Sequence, residues 1–499
     1  MSNSLLNEKN SRVIEAKVRD DLVEKTFTEI VNNGQHQLKK LYGEDSITEV
    51  LRSYENGKRK GGLGNLIEEC YFGYRANSTQ GADLKASGIE VKVTPYEKSE
   101  KGKISAGERL VITMISYSNP VEFNFYKSHV WEKIQKILLI YYLREKKLTN
   151  SLLYRIKYVN LFTPSKTDME IILNDYNTIV SKVKNGKAHE LSEADTSYLG
   201  ACTKGATAEK SLVFQTCYAP TIKAKKRAFC YKNSYMTYVL NEYIVKEKNH
   251  AETIISDSSK LLNTTFDEYV LSLIDKNKGA SDRELCERYA LKYTDNKAQW
   301  NTLAFRMLGI KSNKAVEFEK ANIVVKTIRL EENGKINEQM SLPPISLNKV
   351  AQESWEESSL YEYFCETKFL FVVFKKRSDN YVLMGAKFWN MPYVDLEEIV
   401  RTGWEKAKKI INEGIILRKK IQKKGLVICN NLPGIKDNPI VHLRPHASKR
   451  YYKLKDGEII GDGTKAMAEE LPDNQWMPKQ SFWLNSSYIK SVISDLNKD

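Results

Sequence analysis

The sequence predicts an α/β protein whose mixed sheet is flanked by helices, and it predicts that this arrangement is present twice. Three observations lead there. Segments of helical periodicity alternate with β-branched segments, short motifs recur in one order at offsets of 234 and 253 residues, and 499 residues exceed what a single hydrophobic core usually holds.

In chain order, NLIEECYFGY (65–74) reads as a helix entered from the glycine-rich KGGLG and closed by Gly73. Those glycines follow no strand and open no βαβ unit, so they do not read as a nucleotide cradle. GIEVKVT (88–94) and RLVITMISY (109–117) carry the β-branched content of strands. Residues 129–144 and 168–185 read as helices, with YRIKYVNLF as a strand between them.

The repeat rests on three blocks. RAFCYKNSYMTYVL (227–240) matches QSFWLNSSYIKSVI (480–493), GACTKGATAEK (200–210) corresponds to HLRPHASKRYY (442–452), and ASGIEVKVTP (86–95) corresponds to KANIVVKTIR (320–329). Polar residues between 245 and 265 mark the division. The expected domains are 1–250 and 265–499, with 251–264 as a linker.

With 41% hydrophobic and 28% charged residues the composition is that of a soluble globular protein. No apolar run is long enough to span a bilayer, and the charged N-terminus lacks the pattern of a signal peptide, so a cytoplasmic protein without membrane partners is expected. Seven cysteines stand singly, with neither a disulfide framework nor zinc-ligand spacing. A net charge of +15 favours a polyanionic partner. The excess is concentrated: residues 201–250 hold nine Lys or Arg against three Glu, with five tyrosines between 218 and 243. Basic residues among aromatics suit phosphates and bases, whereas Tyr235, Tyr238 and Tyr243 fit the apolar face of a helix.

GADLKASGIEVKVTPY (81–96) places Asp83 seven residues before Glu90, and Lys92 two after it. On a strand Glu90 and Lys92 share a face while Val91 points to the core. Hydrolysis of a phosphodiester needs a hard cation, which carboxylates such as Asp83 and Glu90 can hold, and a cationic side chain such as Lys92 beside the attacking water. A helix carboxylate, Glu69 or its neighbour Glu68, can complete the set. No Ser-His-Asp or Cys-His spacing offers nucleophilic catalysis.

EECYFGYRANSTQGADLKASGIEVKVTP resembles the active-site segment of the MutH-like branch of the PD-(D/E)xK nucleases, with Glu69, Gly73, Asp83, Gly88, Glu90 and Lys92 at the family's spacing. Glu69 keeps the spacing to Gly73 and is favoured, with Glu68 as the alternative. SHVWEKIQK (128–136) resembles a further family segment, which makes Lys133 a candidate phosphate-contacting lysine. HELSEADTSYLGACTKGA (189–206) together with KAKKRAFCYKNSYMT (223–237) is similar to the GATC-cutting type II restriction endonucleases of staphylococcal type, single chains with two MutH-like halves.

That resemblance implies a restriction-endonuclease-like fold in both halves and Mg²⁺-dependent cleavage of double-stranded DNA at GATC. It also implies a DNA methyltransferase of the same restriction-modification system as a functional partner outside any stable complex; with one active site per chain, cutting both strands needs two chains, as a transient homodimer on DNA, or two successive events. Lys204 would read base edges, where a lysine donates to guanine O6 and N7. Arg227 and Lys232 are further DNA-binding candidates. In the second half Val324 replaces Glu90, Leu303 replaces Glu69, Glu317 falls at the position of Asp83, and Lys326 matches Lys92. That half is expected to bind DNA through Arg444, His446, Lys449 and Arg450 without cutting, as an allosteric effector module or as a buttress of the fold. A mismatch-repair-type nicking endonuclease and a non-cutting DNA-binding regulator are the rival readings.

Overall fold

In a computed structural model the described residues are 3–55, 62–75, 81–205, 211–246, 250–294, 296–422, 425–447 and 449–497. Parts of KGGLG and of GACTKGATAEK lie outside them. The chain divides into two compact units, Met1–Phe266 with Lys314–Asn322, and Asp267–Asn313 with Ile323–Asp499.

The boundary therefore lies later than residue 250, and 251–264 is no linker. Ile254 and Ile255 are buried, their N–H groups donate to the Glu317 carboxylate at 2.9 and 3.0 Å, and Glu252 bridges to Ala315. The apolar side chains of the stretch, Ile254, Ile255 and Leu261 among them, are spread through polar residues, which hid the segment's role.

After a short N-terminal helical turn (Asn3–Asn7), the first unit continues with α1 (Ser11–Leu22), which buries Ile14, Val18 and Leu22 four residues apart on one face, and α2 (Phe27–Tyr42), started by a Thr26/Glu29 capping box. These helices pack with the central sheet, whose order is β2 (Ile104–Ala106), β1 (Glu90–Lys98), β4 (Ile137–Leu143) and β5 (Arg155–Phe162). β1 and β4 run parallel, and both edge pairings are antiparallel. β1 continues through Pro95 because its carbonyl accepts from Gly107, so the missing N–H faces the flank where β2 pairs only from Tyr96 on.

The expected helix over 129–144 is corrected. Only α3 (His129–Ile134) is helical, and ILLIYYL forms β4. A continuous apolar run fits a strand buried on both faces as well as a helix, and the parallel partner decides between them. α4 (Lys166–Lys184) occupies nearly the span expected. Its Asp175 carboxylate accepts the backbone N–H groups of Ser197, Tyr198 and Leu199, and burial pushes its pKa up to about 6. Those bonds fix the start of β6 (Leu199–Thr203). With β3 (Leu110–Met114) and β9 (Arg227–Tyr231), β6 makes a second, antiparallel sheet of order β3-β9-β6, and β7 (Leu212–Gln215) and β8 (Ala219–Lys225) form a hairpin between β6 and β9 in sequence.

α5 (Asn233–Tyr238) follows β9 and packs against α6 (Val316–Ala321), where Lys320 Nζ pairs with the buried Asp168 at 2.7 Å. Tyr235 is fully buried as the helical pattern required, but Tyr243 is 45% exposed, so it does not belong to the core.

The second unit repeats the strand directions. β10 (Ile323–Leu330) and β12 (Lys368–Arg377) are parallel, and β13 (Asn380–Trp389) pairs antiparallel with β12. After β11 (Met340–Pro344), α7 (Arg401–Glu413) and the ribbon β14 (Arg418–Gln422)–β15 (Gly425–Cys429), β16 (Val441–Pro445) leads into a small sheet of β17 (Tyr452–Lys453), β18 (Ile459–Ile460), β19 (Ala468–Glu470) and β20 (Trp476–Pro478). β21 (Gln480–Leu484) then lies between β11 and β16, as β9 lies between β3 and β6, and α8 (Ser486–Val492) follows it. The three repeated sequence blocks thus fall on β1 and β10, on β6 and β16, and on β9 and β21 with their following helices. Among the described residues no helix is long and apolar enough to cross a membrane.

Gly34 of α2 packs on Cys70, where an added Cβ would fall 2.7 Å from Cys70 Cβ and closer still to its carbonyl oxygen. Gly34→Ala is therefore expected to lower stability by about 1–3 kcal/mol, the usual cost of overpacking, measured as a fall in melting temperature. An unchanged melt would show that α2 can move away from the turn carrying Glu68.

Candidate active site

The loop before β1 is tied by a bridge between Leu84 and Ile89, with Gly88 at φ +65° making the turn. This closure brings Asp83 back beside the strand, where its Oδ2 accepts the Val91 N–H at 2.9 Å. Spacing of seven residues between Asp83 and Glu90 is what such a short return requires.

Val91 is buried in the core with Leu138 and Ile140, so the pleat turns Glu90 and Lys92 to the other face together. Glu90 is 1% exposed, and its Oε1 receives two ammonium groups, Lys92 Nζ at 2.7 Å and Lys133 Nζ at 2.8 Å. Lys133 arrives from α3, whose N-cap is Ser128; His129 lines the same cavity and its Nδ1 lies 2.9 Å from Glu132. The other Glu90 oxygen, Oε2, is buried without a hydrogen-bond partner.

The helix carboxylate is corrected. Residues Ile67–Phe72 form a π-helical turn ended by Gly73 in the left-handed region, φ +77°. On this wider turn Glu69 points away from the cluster, into the interior, where it accepts from the hydroxyls of Tyr42 at 2.8 Å and of Tyr54. Glu68 faces the cavity instead. Spacing counted on a regular helix could not separate the two, because a π-turn shifts which side chain faces which way.

Glu68, Asp83, Glu90, Lys92 and Lys133 line one cavity of about 760 Å³, walled by β3 and by Tyr176 and Phe229. Burial, then repulsion from Asp83, pushes the Glu68 carboxyl up to about 7. Asp83 is also raised, first by burial and then by Glu90. Three carboxylates against two ammonium groups, with a buried oxygen lacking a partner, is a donor set suited to a hard cation. Among the described residues no ready-made group of three or more His, Cys, Asp or Glu is arranged to hold a metal, so water and phosphate oxygens would have to complete the shell.

The expected DNA contacts divide. Lys204 follows β6, its N–H donating to the Lys226 carbonyl at 2.7 Å, and it is partly exposed. Arg227 and Lys232 are corrected: both are buried, Arg227 donating to the Ala201 carbonyl at 2.6 Å and Lys232 to that of Thr196. Arg227 belongs to the middle strand of its sheet and Lys232 to the N-cap of α5, positions a count of basic residues does not distinguish from surface ones. The basic and aromatic surface lies on the β7–β8 hairpin, where Lys223 stands over the Phe214 ring and Phe214 is 49% exposed. In the second unit Arg444, His446, Lys449 and Arg450 are all exposed. Arg444 lies over Trp483 in a cavity that also holds Lys326, while His446 Nδ1 is 2.9 Å from Ser481 Oγ. Glu317 is no counterpart of Asp83, because its carboxylate is committed to the Thr253 hydroxyl and the Ile254 and Ile255 N–H groups in the first unit.

Residues 72–175 match the family described as the DNA mismatch repair enzyme MutH. Over 476 residues the chain is 33% identical to the type II restriction enzyme Sau3AI of Staphylococcus aureus, covering 90% of this chain and 96% of that enzyme.

Because the Glu68 carboxyl sits near 7 when folded against 4.5 ordinarily, the folded state binds the extra proton between those values and loses stability as pH rises through them. Without divalent ions the melting temperature of the wild type is expected to fall more between about pH 5 and 8 than that of Glu68→Gln. Parallel pH profiles in calorimetry would place Glu68 outside the cluster.

Proposed function

Since the chain belongs to the family of the staphylococcal type II restriction enzyme, we propose that it hydrolyses double-stranded DNA at GATC sites with Mg²⁺. The observation that carries this reading is the buried Glu90, one oxygen held by Lys92 and Lys133 and the other left for a cation beside Asp83 and Glu68. The tetranucleotide rests on the resemblance of residues 189–206 and 223–237.

Asp83 and Glu90, with Glu68 in place of Glu69, would hold the cation. Bound there, Mg²⁺ would neutralise charge on the scissile phosphate and make the attacking water more acidic. Lys92, fixed by Glu90, orients that water and offsets charge developing on the phosphate. Lys133 shares the same Glu90 oxygen, which holds this carboxylate in place while leaving an ammonium group within reach of the substrate. Lys204 and the β7–β8 hairpin approach the DNA, Lys204 towards guanine edges in the major groove.

In the second unit Val324 and Lys326 stand on β10 where Glu90 and Lys92 stand on β1. This degenerate MutH-like half keeps the lysine without the acidic set, and burial alone lowers the Lys326 amine's proton affinity. It would bind DNA as an effector module through Arg444, His446, Lys449 and Arg450. One complete constellation among the described residues means that cutting both strands would take two chains met transiently on DNA, or two successive events. A methyltransferase of the same system would protect the host's own sites. A nicking endonuclease is the second reading, and the same single constellation favours it.

Plasmid cleavage separates these readings. The wild type with Mg²⁺ is expected to give linear fragments from a plasmid with several GATC sites and none from one without; accumulation of nicked circles would favour the nicking enzyme. Glu90→Ala should lower the rate by about 10³-fold or more. Glu68→Ala should demand more Mg²⁺ for half-maximal rate, while Glu69→Ala should lower stability and leave the Mg²⁺ requirement alone. The reverse pattern would return Glu69 to the site.

Neutralising Arg444 and Lys449 together is expected to slow cleavage of the multi-site plasmid without altering its Mg²⁺ dependence. Wild-type rates from that variant would leave the second unit as a buttress.

A further inference from the structure

The ribbon β14–β15 has a composition that the proposed chemistry does not use. Between α7 and β16 the second unit inserts this hairpin, whereas between α4 and β6 the first unit has only two short 3₁₀ turns among its described residues. The register pairs Arg418 with Cys429, Lys419 with Ile428, Lys420 with Val427 and Ile421 with Leu426.

Its base is anchored. Ile428 is buried in the core of the second unit, and Lys419 pairs with Glu458. Further out the ribbon leaves that body: every residue of β14 is exposed, Ile421 is 86% exposed and its cross-strand neighbour Leu426 is 44% exposed. Ile421, Leu426 and Ile428 share one face of the pleat, so the apolar stripe that is covered at the base continues uncovered. Arg418 and Lys420 occupy the opposite face.

Lysines alone would be an ordinary guard against edge pairing. An isoleucine left almost wholly in water beside them serves no such purpose. A two-stranded ribbon fits a DNA groove, and apolar side chains such as isoleucine wedge between base steps in proteins that bend the duplex. We propose that the β14–β15 ribbon is a DNA-deforming arm: Arg418 and Lys420 seat it on backbone phosphates, and Ile421 enters the minor groove to unstack a base step. This rests on double-stranded DNA being the substrate and is independent of where the chain cuts.

The test uses full-length protein carrying Glu90→Ala, so that DNA stays whole, with short duplexes labelled at both ends for energy transfer and carrying 2-aminopurine. The parent is expected to shorten the end-to-end distance and raise the 2-aminopurine fluorescence. Adding Ile421→Ala should abolish both signals, and Ile421→Leu should keep them. Arg418→Gln with Lys420→Gln should lower the slope of log affinity against log salt by about 1.8, near 0.9 for each phosphate no longer neutralised. Equal bending by the parent and Ile421→Ala, or binding by the parent without bending, overturns the arm while leaving DNA as the substrate. A parent that binds no duplex overturns both. A fall in sedimentation mass on Ile421→Ala, with bending unchanged, would instead assign the ribbon to pairing with a second copy of the chain.

Discussion

The site depends on a buried carboxylate with two cations on one oxygen and nothing on the other. Removing Glu90 from water is costly unless it is compensated, and Lys92 and Lys133 supply that compensation from two elements, a strand and the short helix α3. The parallel pairing of β1 with β4 then has a chemical purpose: β4 directly follows the helix that carries Lys133, so the register from Glu90 opposite Ile137 onward sets where that ammonium group falls. Asp83 is placed by the Val91 N–H and Glu68 by the π-turn. For Asp83 and Glu68, burial and mutual repulsion weaken the hold on negative charge.

The second unit shows what happens when the acids are lost. β10 keeps the parallel neighbour, the antiparallel third strand and the lysine, but Val324 replaces the acid. Valine is a better strand former than glutamate and costs nothing to bury, so the fold persists and the charge logic does not. Lys326 is left in a cavity with Arg444, Lys297 and Arg329, of which Glu338 engages the last two. Such a surface suits phosphate better than a metal.

Much of this was legible in the sequence, and the misses share a physical form. Period-two alternation placed Glu90 and Lys92 on one face correctly, and the motif order of the repeat matches the strand order. What could not be read was any property set by a partner distant in sequence. ILLIYYL became a strand because β1 lies beside it, and Glu68 replaced Glu69 because a π-turn rotated the pair. Arg227 and Lys232 turned inward to carbonyls of residues 201 and 196. Residues 253–255 were claimed by Glu317, more than fifty positions away.

The return of residues 314–322 to the first unit also bears on how the protein is made. Lys320 supplies the buried cation for Asp168, and Glu317 accepts from the Thr253 hydroxyl and the Ile254 and Ile255 N–H groups, so the core of the nuclease unit stays incomplete until that short segment has left the ribosome. A nascent chain stalled before then presents Asp83, Glu90 and Lys92 on an unfinished scaffold. Late closure of the fold thus ties the setting of that cluster to a segment that follows it far along the chain.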